Sequence, residues 1–131
     1  NDNPYQLMAE LGSTMERAAA VRCDAQSLAT AIETIDNDLA PRAQALAAHD
    51  KAATFNQEIT AIWEVRHLIT LAQAVIAASD ARHESRGSLK RTDFPDRDDE
   101  HFLAHSMTDA AHEVSWQPVH IVDMPPKKRE Y

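Results

Sequence analysis

Glycine is nearly missing from this chain: only Gly12 and Gly87 occur in 131 residues. That scarcity removes the glycine-rich loop whose backbone N–H groups wrap a phosphate, and with it the common nucleotide and dinucleotide fingerprints. Cysteine occurs once, at Cys23, so no internal disulfide can form and a cytoplasmic, reducing setting is expected. Basic charge is also short, with 13 Lys and Arg against 21 Asp and Glu and a net charge of −8. A phosphate backbone needs a basic face, so no nucleic-acid partner is expected, and Lys127, Lys128 and Arg129 are too few to reverse the balance. The longest apolar run, "LITLAQAVIAA" at 68–78, falls short of a membrane span, and no direct membrane insertion is expected. No secretory leader is visible, and a start at Asn1 rather than methionine suggests a processed or excised piece.

What is present is helical pattern. Asn3-Pro4 predicts an N-cap followed by Pro at the first helical position, with Met8, Leu11, Met15 and Ala18 as one apolar stripe. Asp24 predicts the cap of a second helix striped by Leu28, Ile32, Ile35, Leu39, Ala43 and Leu46, which Pro41 should kink or interrupt. Thr54 to Gln57 reads as a capping box for a third helix reaching about Arg82, with Phe55, Ile59, Ile62, Ile69 and Ile76 on one face. Leu68, Leu71 and Val75 fall opposite that face, so this helix is apolar on most sides and calls for cover on most sides.

The pattern changes at "RHESRGSLKRTDFPDRDDEHF", residues 82–102, where a glycine, a proline and charges of both signs crowd together. Gly87 suits the left-handed conformation that ends a helix. Asp98 is expected to cap one short helical turn in "DDEHFL". Beyond it, "FLAHSMT" and "HEVSWQPVHIVDM" predict a β-hairpin turning near Asp109–Ala111, with Pro118 at its edge and "MPPKKREY" as an extended tail. The expected fold is thus mainly α in one domain over 1–131. A three-helix bundle fills 1–82, and an irregular charged loop, a small β-hairpin and a tail fill 83–131.

Chemistry fails on spacing. His101 and His105 are four apart, but a strand beginning near Phe102 would separate them, and no Cys pair or HExxH pattern supports a metal. Asp93, Asp96, Asp98, Asp99 and Glu100 lack the glycine and ligand rhythm of a calcium loop. Cys23 has no identifiable base, and Trp63 and Trp116 read as packing aromatics. No catalytic, cofactor or metal residue is assigned, and the chain alone does not read as a complete catalyst. The charged loop, with Glu84, Arg86, Lys90, Arg91, Asp93 and Arg97, is either an interface or a flexible solvated segment.

The ordered series "ESRG" at 84–87, "DFPDRDDEHFLAHSM" at 93–107 and "PPKKREY" at 125–131 resembles the C-terminal domain of succinate dehydrogenase and fumarate reductase flavoprotein subunits. "ELGSTMERAAAVR" at 10–22 and "FNQEITAIWEVRHLITLAQAVIAASDARHESRG" at 55–87 resemble that domain's first and third helices, so the likeness covers essentially the whole chain. It implies a spectrin-repeat-like three-helix bundle with a small β tail. The resemblance also implies a parent subunit that binds FAD, interconverts succinate and fumarate, and passes electrons to an iron–sulfur subunit and a membrane anchor. Such a complex would lie on the cytoplasmic face of the membrane. The family's flavin and substrate motifs lie upstream, so none is carried onto this chain, and no cofactor is expected in this fragment. The role implied here is structural: Glu84, Arg86, Gly87, Arg91, Asp93, Arg97 and Asp98 would dock the domain on the flavin and capping domains of the same subunit. Arginine suits that work because its planar fork pairs bidentately. One departure stands out, since Ser88 and Leu89 replace the family's usual Ala-His. L-Aspartate oxidase, which shares an ESRG-like segment, and a free-standing helical interaction module remain as alternatives.

Overall fold

The computed structural model describes residues 2–127, so the last four residues of the "PPKKREY" motif lie outside the described part. The chain is mainly helical with a small two-stranded antiparallel sheet. Helix α1, Pro4–Ala19, opens as its sequence predicts, with the Asn3 side chain accepting the Tyr5 N–H at 2.9 Å. Its buried face is Leu7, Leu11, Thr14 and Ala18, while Met8 and Met15 flank it, half-buried. Helix α2, Ala25–Thr34, is closed at its start by Asp24, which accepts from Ser27 N at 2.8 Å while Ser27 Oγ accepts from Asp24 N at 3.1 Å.

Pro41 does not break the second helical stripe. A π-helical turn, Ile35–Leu39, links α2 to the short helix α3, Ala40–Gln44, and the Ala40 N–H reaches back to the Ile35 carbonyl. The wider turn delivers Pro41 to the first turn of α3, where its missing donor is not needed. Leu28, Ile35, Leu39, Ala43 and Leu46 stay buried in one line through the change of helix type.

Helix α4, Gln57–Ala81, packs on both α1 and α2 through Ala61, Ile62, Val65, Ile69, Ala72 and Ile76. The expected capping box at its start does not form. Asn56 is the N-cap residue, and its side chain makes no cap bond but donates to the carbonyls of Asp50 and Ala52. Glu58 instead turns its carboxylate back to accept the N–H groups of His49 and Asp50 at 2.7 and 2.8 Å. Phe55 stands before the helix at φ 54 and is 96% exposed, and Ile59 also points outward, so neither belongs to the buried stripe. Counting from Gln57, α4 is long and apolar enough to cross a membrane by length and composition, which corrects the shorter span expected from sequence. One face of it is nonetheless spent on the core shared with α1 and α2.

After the single-turn helix α5, Asp99–Phe102, strands β1, Ala104–Thr108, and β2, Val114–Pro118, pair antiparallel with Ser106 opposite Trp116. Asp109 organises the connection, its carboxylate accepting from Ala111 N and Glu113 N. The sheet rests on the C-terminal end of α4, where Arg82 lies 4.8 Å from the Trp116 ring centre and donates to the carbonyls of Phe102 and Ala104.

Candidate functional site

Residues 82–102 form an ordered strip bound to the helices. Its first fixed point is Arg91, 2% exposed, whose Nη1 donates to the carbonyls of Ser79 and Asp80 at 2.7 and 3.0 Å. Those carbonyls are the unpaired acceptors at the end of α4, where a cation is favoured by the helix dipole. The other edge of the guanidinium meets Asp93 in a two-point pair, Nε to Oδ1 at 2.8 Å and Nη2 to Oδ2 at 2.7 Å. Asp93 in turn accepts the Ala25 N–H at 3.0 Å, at the start of α2. One ion pair therefore sets a cation at the end of one helix and an anion at the beginning of another. The Arg91 hydrogen bond holds the Asp93 carboxyl far below its ordinary value, and Asp93 raises Arg91 in return. Backbone bonds continue the link, from Cys23 N to Lys90 O and from Thr92 N to Cys23 O.

The second fixed point is Glu84, which is fully buried. Its carboxylate accepts from Arg82 Nη1 at 2.6 Å, Arg86 Nε and Nη2 at 2.8 and 3.0 Å, and the Asp98 N–H at 2.8 Å. Burial pushes the Glu84 carboxyl up, but Arg86, the Asp98 N–H and Arg82 outweigh it and hold the group below its ordinary value. A buried carboxylate is tolerable only when paired and hydrogen-bonded in this way. Arg86 also reaches Asp99 at 2.6 Å, and Arg97 meets the other oxygen of Asp99 at 2.8 Å.

Gly87 sits at φ 60 in the tight turn where Arg86 and Leu89 exchange both backbone hydrogen bonds. Open space surrounds it, so the backbone angle rather than crowding asks for glycine. Leu89, standing where the resemblance expects histidine, packs against the hydrophobic core. Asp98 caps α5 as expected, accepting from Glu100 N and His101 N, and its bond from His101 N–H lowers its carboxyl. The His101 imidazole is raised by the Asp98 carboxylate.

Of the seven residues singled out from sequence, Glu84, Arg86 and Asp98 share one cluster and Arg91 and Asp93 another. Gly87 and Arg97 lie on the outer side, where a cleft of about 200 Å³ is lined by Arg86, Gly87, Lys90 and Arg97. Sequence reasoning missed Arg82, Ser85 and Asp99. Ser85 Oγ accepts from Arg91 N at 2.9 Å and donates to the Phe94 carbonyl at 2.8 Å, joining the two clusters. A cation beside a helix end was the available signal for Arg82. Among the described residues no three His, Cys, Asp or Glu side chains are placed to hold a metal ion. Burial pushes the Cys23 thiol up, away from nucleophilic use. The arrangement is a cross-brace between helix ends, with Arg82, Glu84, Arg86, Arg91, Asp93, Arg97 and Asp99 spent on one another.

The family model described as "Fumarate reductase flavoprotein C-term" matches residues 8–131. A fumarate reductase flavoprotein subunit of Mycobacterium tuberculosis is 39% identical over 129 residues, covering 95% of this chain and 22% of that protein. A succinate dehydrogenase flavoprotein subunit of Coxiella burnetii is 27% identical over 98% of this chain and 23% of its own length. A solved quinol fumarate reductase of E. coli superposes with a TM-score of 0.86 at 25% identity, covering 98% of this chain and 23% of that one. The chain thus spans less than a quarter of the length of these relatives.

Proposed function

The chain belongs to the fumarate reductase flavoprotein C-terminal family, and from that premise we propose that it is the C-terminal domain of a succinate dehydrogenase or fumarate reductase flavoprotein subunit. The observation that carries the reading is the family match over 8–131, joined by the ordered motif series within it. In this reading residues 1–82 are a spectrin-repeat-like three-helix bundle, and 83–131 are the loop, β-hairpin and tail that follow it.

The domain's task is structural. Glu84, Arg91, Asp93 and Asp98 shape the strip from within, while Arg86, Gly87 and Arg97 present its outer side to the flavin and capping domains of the same subunit. The parent subunit interconverts succinate and fumarate at FAD and passes electrons to an iron–sulfur subunit held by a membrane anchor on the cytoplasmic face. FAD supplies the hydride chemistry when bound, and the described residues do not fit it. Neither glycine stands at a strand-to-helix turn, the sheet is two antiparallel strands without a crossover helix, and the strip's clefts are shallow and open. Its binding is therefore assigned to the part of the subunit beyond this stretch. The relatives' names favour this reading over L-aspartate oxidase and over a free-standing helical module.

The gene upstream of Asn1 tests it directly. An in-frame, glycine-rich dinucleotide-binding region is expected there, and a start codon immediately ahead of Asn1 would overturn the reading. The purified 131-residue chain is expected to be colourless, and stoichiometric flavin absorbance in it would remove the structural role.

A further inference from the structure

Among the described residues, the outer side of α4 has no use in holding the fold. Between His67 and Ala78 the positions facing away from α1 and α2 are His67, Leu68, Thr70, Leu71, Ala74, Val75 and Ala78, without one formal charge among them. Leu68 is 43% exposed, Leu71 61% and Val75 50%. Elsewhere the surface is densely ionic, since 26% of the chain is charged. The bare stretch ends where the sheet begins, at a cleft shared by Ala78, Ser79, Arg82 and Ser106.

We propose that this face of α4 packs against an apolar surface of the flavin-binding portion of the same subunit, and that it, more than the charged strip, holds the two together. The inference rests on the function proposed above. Three observations select the occupant. Over three quarters of each matched relative lies beyond this stretch, and the solved relative carries this same fold inside one much longer chain. Leu71 and Val75 form a ridge beside the small Ala74 and Ala78, the relief that accepts the ridge of another helix. The strip's arginines are already paired with Glu84, Asp93 and Asp99, which leaves them less to give a partner, whereas the uncovered Leu-Leu-Val row still has apolar area to remove from water. A lipid surface is disfavoured by the net charge of −8 and by burial of the helix's opposite side.

The test is the maleimide labelling rate of Leu71→Cys, and separately Val75→Cys, read peptide by peptide by mass spectrometry. It compares the 131-residue chain with the flavin-loaded full-length subunit. The native Cys23 is buried and gives little background. Rapid labelling in the chain and labelling slowed about tenfold or more in the subunit, as local opening of a packed face requires, is the expected result. Equal rapid labelling in both, with the flavin retained, would overturn the proposed face and leave the domain's assignment standing. Protection already in the chain alone, together with a dimer by sedimentation, would assign the face to a second copy and overturn the proposal. As an independent arm, Leu71→Gln is expected to leave the melting temperature of the chain unchanged while lowering the yield of flavin-loaded subunit. A loss of melting temperature in the chain itself would show that Leu71 serves the fold, against the proposal.

Discussion

Between Pro4 and Ala81 the buried side chains are almost all aliphatic, with Thr14 the one polar member, whereas between Arg82 and Phe102 the buried ones are Glu84 and Arg91. The first region is held by removing Leu, Ile, Val and Ala from water, a force without direction that tolerates small rotations. The second is held by charge-assisted hydrogen bonds that need atoms at fixed places. The helical region can therefore lose one side chain and stay assembled around the rest. In the strip, removal of a partner of Glu84 or Arg91 leaves a buried charge short of its counter-charge.

The largest effect is expected from Arg91→Ala, which abandons Asp93 and the carbonyls of Ser79 and Asp80. Its cost should be about 4 kcal/mol, from two helix-end carbonyls left without a donor together with the lost charge-assisted bonds to Asp93, read from denaturant midpoints. Ile69→Ala removes a 4%-exposed core side chain and should cost about 3 kcal/mol as a cavity. Unlike the strip, the apolar face it opens does not titrate, so that cost should hold steady with pH.

Acid should separate the two regions further. Glu84 and Asp93 sit below their ordinary values of 4.5 and 3.8, so the unfolded chain binds more protons than the folded one as pH falls. Their contribution is complete above those ordinary values and is lost as pH drops through the lower folded ones. Amide protection factors at 84–98, taken relative to the intrinsic exchange rate at each pH, are expected to fall on acidification while the centre of α4 stays protected. Simultaneous loss of both would erase the distinction.

Smaller changes sharpen it. Leu89→His places a polar ring against the core and should cost about 1 kcal/mol by thermal unfolding, the lower end of burying an imperfectly paired polar group. Phe55→Gly should stabilise by about 1 kcal/mol, because Phe55 is exposed at a positive φ that glycine adopts freely.

The helices were legible because a period of three and four residues is a one-dimensional record of a buried face. Asn3, Asp24 and Asp98 were legible as caps because their chemistry is local. Thr54 misled because a capping box is only one use of such a sequence, and Glu58 found better donors in His49 and Asp50. Pro41 signalled an interruption, which takes the form of a π turn that gives the proline a place without a donor while the buried stripe continues. In the strip Glu84, Arg91 and Asp93 were singled out as docking residues, but the internal partners they meet were not read from the sequence. Arg91 meets carbonyls 11 and 12 residues earlier, and Asp93 meets an N–H in another helix. No period or spacing encodes such pairings.

The bond from Ala25 N–H to Asp93 spans 68 residues. Closing a loop of that length costs about 4 kcal/mol in chain entropy before any contact rewards it. Helices that propagate locally are therefore expected to form first, and the amino end of α2 waits for a carboxylate that is synthesised long after it. The cross-brace is then a latch thrown at the end of folding. Its loss in Arg91→Ala should quicken unfolding and leave the folding rate nearly unchanged.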